Sequence, residues 1–470
     1  MSENYNRLIQ IYQKVNSITF APLCVVKSSS LGGRGLFATR DISCGETIFV
    51  DSPLLLGPRT EKSCNLFCVS CYKRENLETC SRHCGLPLCS RKCEDSSCHR
   101  RECDFIVERK RNNFDKVNCD VFRCLTPIRA FLLNQNETKL LQLLQRRNGK
   151  RGFEASILKQ YLNLSEEEER FLNCVCSILD TNTFEITKGS DLSLKALYPL
   201  SSMLNHSCLP NTAHYFDCDQ NMIVKASVPI KKDKEILHCY TKLFWGTCVR
   251  QTYLLKTKHF FCSCLRCQDE TEFGTYLSAI NCFNCEGVAV PTRKNSKFSW
   301  TCVNCKTVLD DNISGMVLAI LGSRLNNLSS ANPQEILQFL NRSLLKYAPI
   351  SNQIAVQLKC RLIWLLGYTE CYHWDDLSVE LLLEKETICR DLLKLLERLR
   401  AGKNKMRGLL LYELYCCLQE KQKRLLEQQN ETHENEIKEL EIKYLLEESK
   451  EILKDDVHAP PEIQSYFNGQ

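Results

Sequence analysis

Between residues 68 and 103 the sequence sets Cys68-x2-Cys71, Cys80-x3-Cys84, Cys89-x3-Cys93 and His99-x3-Cys103, eight thiol or imidazole groups in thirty-six positions. So short a stretch cannot bury a hydrophobic core of its own. What folds it must be covalent or metallic, and the choice turns on the redox compartment. The 470 residues carry 31 cysteines, and disulfides on that scale require an oxidising environment. The first thirty residues lack the uninterrupted apolar core of a secretory leader, and no window reaches the length of about eighteen apolar residues that spans a membrane. An intracellular chain that does not span a membrane is therefore expected, with its thiols reduced. Paired cysteines then read as zinc ligands, and eight groups suit two tetrahedral ions whose binding supplies most of the folding energy. A disulfide framework is the competing reading, and it needs a secretory route.

The same logic applies further on. Phe261-Cys-Ser-Cys-Leu-Arg-Cys267 offers Cys262, Cys264 and Cys267, one ligand short of a tetrahedral site. Cys282-x2-Cys285 and Cys302-x2-Cys305 form a complete set around an insert containing Trp300, the spacing of a zinc ribbon. Cys174, Cys176, Cys360, Cys371, Cys416 and Cys417 lie in apolar or helical contexts and are expected as small core residues. Apolar residues at 43% and charged residues at 25% describe an ordinary globular chain of about three domains. A net charge of +6 does not by itself imply nucleic acid. Arg91, Lys92, Arg100, Arg101, Arg109, Lys110 and Arg111 sit in or just after the first cysteine cluster, where they offset thiolate charge or contact phosphate.

Leu8, Ile11, Tyr12 and Val15 fall at helical spacing. A β-rich stretch follows, with Gly33-Arg34-Gly35 placing bare backbone between strands, suited to a hairpin turn or to close approach of a ligand. Helical patterns then run from Phe122 to Leu133 and from Leu140 to Leu144, and Ser165 ahead of Glu166–Glu169 reads as an N-cap with acids in the first turn. Tyr198-Pro-Leu-Ser-Ser-Met-Leu-Asn-His-Ser-Cys-Leu-Pro-Asn211 is an apolar run ending in a polar corner; its Asn205-His206-Ser207 fits a glycosylation acceptor only on a secretory route. Alternating strands follow, and Glu235-Ile-Leu-His-Cys-Tyr240 ends one of them in a tyrosine, ordinarily a packing residue with its hydroxyl bonded. From about Asp310 the pattern is helical, with Pro333 at a first helical position. Leu411, Leu414, Leu418 and Leu425 make one expected core stripe, and Ile437, Leu440 and Tyr444 another.

In order, Gly33-Arg-Gly-Leu-Phe-Ala-Thr-Arg-Asp-Ile42, Asn205-His-Ser-Cys-Leu-Pro-Asn211, Glu235-Ile-x3-Tyr240 and the Cys262–Cys267 trio resemble the signature segments of SET-domain methyltransferases. The cysteine-rich insert resembles a MYND finger, and the whole resembles the SMYD group, the Cys282–Cys305 set being similar to an addition in arthropod-type members. The resemblance implies an α+β fold: a β-rich SET domain split by a MYND zinc finger and a helical insert, with a post-SET zinc site, an extra zinc ribbon and an all-α C-terminal domain. Its expected segments are 1–19 an N-terminal helix, 20–60 the first SET part, 64–103 the finger, 104–180 the insert, 181–255 the SET core, 256–272 the post-SET segment, 275–310 the ribbon and 311–470 the helical domain.

By position, the resemblance gives S-adenosylmethionine contacts to Gly33, Arg34, Gly35, Asn182, Asn205, His206, Tyr240 and Phe261, with Tyr240 also catalytic. It gives about four zinc ions: Cys68, Cys71, Cys89 and Cys93; Cys80, Cys84, His99 and Cys103; Cys208 with Cys262, Cys264 and Cys267; and Cys282, Cys285, Cys302 and Cys305. The x3 spacing of Cys80 and Cys84 departs from the usual x2, which leaves His83 and Cys98 as rival ligands. The implied activity is methyl transfer to a lysine of a histone or non-histone protein, in nucleus, cytoplasm or both, by a monomer whose finger takes peptide or protein ligands. The alternatives are a zinc-rich adaptor with a silent SET domain and, less favoured, a nucleic-acid-binding zinc protein.

Overall fold

The computed structural model describes residues 10–15, 23–59, 65–146, 152–188, 192–294, 297–427 and 434–468. Residues 10–15 are helical, and the rest of the expected N-terminal helix lies outside the described residues. The chain forms two compact units: Met1–Thr39 with Ile48–Leu204 and Phe216–Val224, and Arg40–Thr47 with Asn205–Tyr215 and Lys225–Gln470. Mixed α and β content, cysteine clusters and a helical C-terminal region agree with the expected class.

In the first unit, strands Cys24–Ser28 and Arg34–Ala38 pair antiparallel, with Lys27 opposite Gly35. The connection uses Gly32 at φ 144° and Gly33 at φ 60°, a backbone that L side chains avoid. A second sheet has Leu192–Leu197 at its centre, antiparallel to both Leu55–Pro58 and Thr183–Lys188. Against it packs the helix Glu166–Asn182, so that Leu55, Leu141, Val175, Ile178, Leu179 and Leu197 make one buried cluster. Ser165 caps that helix in a reciprocal box with Glu168, and four glutamates fill its first turn, where the helix dipole favours negative charge. The expected helical run from Phe122 to Leu133 is two short helices, Cys119–Arg123 and Leu125–Ala130, meeting at Cys124. Cys176 is buried as a core residue, whereas Cys371, in the second unit, is exposed.

The second unit pairs Asn205–His206 with Glu235–His238 in parallel, and sets Ile280–Asn281, Val288–Lys294 and Lys297–Cys302 in one antiparallel sheet. Its helices run through Asp311–Asn327, Gln353–Leu365, Val379–Arg398, Lys405–Glu427 and Glu434–Leu453. Pro333 opens a helix behind Asn332, which caps it through Glu335. A buried Lys385 ammonium joins two of the long helices through Glu413 at 2.7 Å and lies 3.9 Å from the Trp374 ring. In the second expected stripe Leu440 is 69% and Tyr444 60% exposed, while Ile442, Leu445 and Ile452 are buried; the Ile437 side chain lies outside the described residues. Both sets satisfy helical spacing, and the inward one is shifted by one to two positions along the helix. Leu425, at the end of the first stripe, is likewise exposed, whereas Leu411, Leu414 and Leu418 are core.

One buried acid in the first unit generates a test. Asp51 is fully buried and accepts the Ser201 N–H at 2.6 Å. Burial raises its carboxyl from 3.8 to about 6, so the fold favours the protonated form. The stability it confers is complete below pH 3.8 and lost as pH rises through about 6. Asp51→Asn keeps an acceptor for Ser201 without the titration. Thermal unfolding of both proteins should show the variant gaining about 3 kcal/mol on the parent between pH 4 and pH 7.

Candidate functional site: four cysteine clusters and the Tyr240 corner

Four groups of four ligand atoms gather within 4.8 Å: Cys68, Cys71, Cys89, Cys93; Cys80, Cys84, His99, Cys103; Cys208, Cys262, Cys264, Cys267; and Cys282, Cys285, Cys302, Cys305. Sulfurs around one tetrahedral zinc at about 2.3 Å stand about 3.8 Å apart. Here Cys71 to Cys89 is 3.4 Å, Cys89 to Cys93 3.7 Å, Cys80 to Cys103 3.7 Å, Cys208 to Cys262 3.9 Å and Cys285 to Cys302 3.6 Å. These spacings are far beyond a covalent S–S bond of about 2.05 Å, and they fit a shared cation.

In the second group His99 Nδ1 donates to the Glu94 carbonyl at 2.7 Å, which turns Nε2 toward Cys84 Sγ at 3.6 Å and leaves its lone pair for metal. The extra residue in Cys80-x3-Cys84 is absorbed by left-handed backbone at His83, φ 55°. The His83 ring turns outward toward Asp115 at 3.6 Å, and the Cys98 thiol donates to Glu102. Neither rival joins the group. Several of the neighbouring basic residues are engaged within the chain: Arg100 by Asp95, Arg101 by the Leu132 carbonyl, Arg109 by Glu168 and Lys110 by the Arg82 and His83 carbonyls.

The third group joins Cys208 to three sulfurs some fifty-five residues later, and it organises what surrounds it. His206 Nε2 faces Cys208 Sγ at 3.3 Å, while His206 Nδ1 accepts the Tyr240 backbone N–H at 2.9 Å. Burial lowers the imidazole to about 4, so the ring is neutral, with its proton on Nε2 directed at the sulfur. The side chain expected to hold a cofactor is thus committed to the chain. Asn205 donates to Glu235 Oε1 at 2.7 Å. Asn211, not singled out in the sequence, pairs with the backbone of the 235–238 strand: Nδ2 donates to the Glu235 carbonyl at 2.8 Å and Oδ1 accepts the Leu237 N–H at 2.7 Å.

Tyr240 packs on the third group, and burial, helped by the Glu235 charge, raises its phenol so that it stays protonated. The Lys258 ammonium lies 5.5 Å from the Tyr240 ring centroid and is held below its ordinary value by burial. Phe261 lies under the Arg293 guanidinium at 4.5 Å, whereas its neighbour Phe260 packs against the cluster, 5.8 Å from the His206 ring. Phe260 is thus the ring turned toward this corner.

In the first unit, Gly33 has open space where a Cβ would be, and Arg34 donates to the Leu143 carbonyl at 2.6 Å. Gly35 is a buried strand residue. Asn182 ends the helix Glu166–Asn182 with Nδ2 bonded to the Gln145 and Ile178 carbonyls, both at 2.7 Å. Its amide donor therefore serves the helix end. The fourth group flanks the sheet of Lys297–Cys302, where Trp300 Nε1 donates to the Ser278 carbonyl at 3.4 Å.

The SET domain family profile matches residues 33–241, from the glycine turn to just past Tyr240. The Drosophila melanogaster SET domain-containing protein SmydA-8, isoform A, is 31% identical over 84% of this chain and 88% of its own length. The chain belongs to the SET-domain family. The Arabidopsis thaliana histone-lysine N-methyltransferase ASHR1 is 25% identical to this SET-domain protein over 58% of the chain and 62% of its own. A crystal structure of the SET domain of LSMT bound to lysine and AdoHcy is 13% identical, at a TM-score of 0.35 over 100% of this chain and 92% of that one.

The clusters generate a direct test. The purified SET-domain protein should carry about four zinc ions by elemental analysis, one per four-ligand group. Cys84→Ser or His99→Ala should lower the content by one ion, and His83→Asn or Cys98→Ser should leave it unchanged.

Proposed function

We propose that this SET-domain protein is a protein-lysine N-methyltransferase using S-adenosylmethionine and acting on a histone or non-histone protein. The observation that carries it is the chain of contacts from Cys208 through the His206 imidazole to the Tyr240 backbone, which fixes one phenol beside a metal-sized cluster. ASHR1's name supports the choice of lysine as acceptor. In the second unit the Asn205 amide, beside the Tyr240 corner, is the group suited to the methyl donor. When bound, that donor supplies an electrophilic methyl on a sulfonium.

The work of the protein's own residues is to present a neutral amine. A lysine ammonium entering a dry site loses water and with it affinity for its proton, which leaves to solvent. The Tyr240 phenol, kept protonated by burial, orients the amine rather than acting as its base. The rate gain is mainly one of alignment. The third group acts as a post-SET site, the fourth as a structural ribbon, and the two clusters between Cys68 and Cys103 as a MYND finger for protein ligands. The protein acts in the nucleus, the cytoplasm or both.

Tyr240→Phe should lower methyl transfer to histones or lysate proteins by about 100-fold with donor binding retained, measured by radiolabel transfer and calorimetry. Neither binding nor transfer by the parent overturns the enzyme reading. In that case the two complete groups of the finger favour an adaptor, whose partner pull-down survives Tyr240→Phe and is lost with Cys68→Ser.

A further inference from the structure

Arg250, on the helix Thr247–Lys258, is completely buried, an expensive place for a guanidinium unless every neighbour answers it. Its Nε donates to Cys208 Sγ at 3.1 Å, and Nη2 reaches Cys267 Sγ at 3.5 Å and Thr247 Oγ1 at 2.9 Å. Nη1 donates to Glu272 Oε2 and to the Trp245 carbonyl, both at 2.6 Å. We propose that Arg250 is a positioning residue of the third cluster, a buried cation whose N–H groups hold two of its four sulfurs and set how firmly the site keeps its metal.

The inference rests on reading that cluster as a zinc site. A merely structural partner for Glu272 is already present. Arg266, also fully buried, donates to Glu272 Oε2 at 3.1 Å and to the Leu243 and Trp245 carbonyls at 2.9 Å. Glu272 is fixed in turn by the Thr247 N–H at 2.9 Å and the Ser278 hydroxyl at 2.8 Å. Arg250 is the guanidinium that turns an edge to sulfur. Four thiolates around one divalent cation leave two negative charges in a partly buried site, and the two buried arginines against one glutamate return one of them.

The choice of sulfur matters as well. Cys208 is the ligand from outside the Cys262–Cys267 segment, so it is the bond whose loss opens the corner. N–H donation spreads thiolate charge, which makes the sulfur a poorer base toward protons and a poorer nucleophile toward oxidants. Outer-shell partners of this kind are typically worth about 10- to 100-fold in metal affinity.

The test is zinc release from the purified full chain to a chromogenic chelator, comparing the parent with Arg250→Met and Arg250→Lys. One zinc equivalent should leave about 10- to 100-fold faster from Arg250→Met. Arg250→Lys should fall between, because a compact ammonium cannot span both sulfurs and Glu272. The remaining equivalents should leave at parental rates, which reports an intact fold. Parental rates for every equivalent in both variants overturn the proposal, and Arg250→Lys alone decides it if Arg250→Met does not fold. Equal zinc content in the parent and Cys208→Ser removes the metal reading of the cluster, and this inference with it.

Discussion

Cys208 and the sulfurs of Cys262, Cys264 and Cys267 converge to metal-sharing distance, and the Tyr240 corner of the second unit hangs on that convergence. The parallel pair Asn205–His206 and Glu235–His238 has only two residues in register, too little to persist on its own. It is held because His206 stands two residues before Cys208 and takes the Tyr240 N–H on its far nitrogen. Four sulfurs that would repel as thiolates need a shared cation to stay together. Were they to part, the tyrosine would lose the ring that fixes its backbone.

Each unit carries two of the four clusters, so groups of metal-ligand type are spread through the β-rich and loop-rich parts of the chain. The C-terminal helices are held differently. Their cores are conventional leucine seams, with one buried ion pair, Lys385 and Glu413, supported by the Tyr368 hydroxyl at 2.8 Å. Aromatic faces around that ammonium, Trp374 and Tyr368, provide part of the solvation that water would otherwise give. The chain thus combines clustered ligand groups in one part with apolar helical packing in another.

The grouping of the sixteen cysteine and histidine side chains was the part most legible in the sequence, because it follows from particular residue types at short spacings. The caps at Ser165 and Asn332 were legible for a similar reason, being local. What lay beyond reach depended on facing rather than identity. Leu440 and Ile442 fit helical periodicities equally well, and only tertiary packing decides which set turns inward. Phe260 and Phe261 are adjacent identical residues, and only packing tells which ring faces His206. Arg250 and Arg266 carried no signal, since an arginine on a helix ordinarily reads as a solvated one, and the buried acid that justifies them, Glu272, is likewise unremarked by any motif. Asn182, singled out as a ligand contact, spends its amide donor on closing a helix.

The Asn211 side chain offers a last consequence. Its carboxamide copies a peptide group, one donor and one acceptor set against the carbonyl of Glu235 and the N–H of Leu237. That turns a two-residue ladder into a longer one. Deamidation, the commonest spontaneous ageing of asparagine, swaps one nitrogen for oxygen. It would leave a carboxylate facing a carbonyl where a donor had been. The register of the strand that leads into Tyr240 therefore rests in part on a side chain with a chemical lifetime of its own.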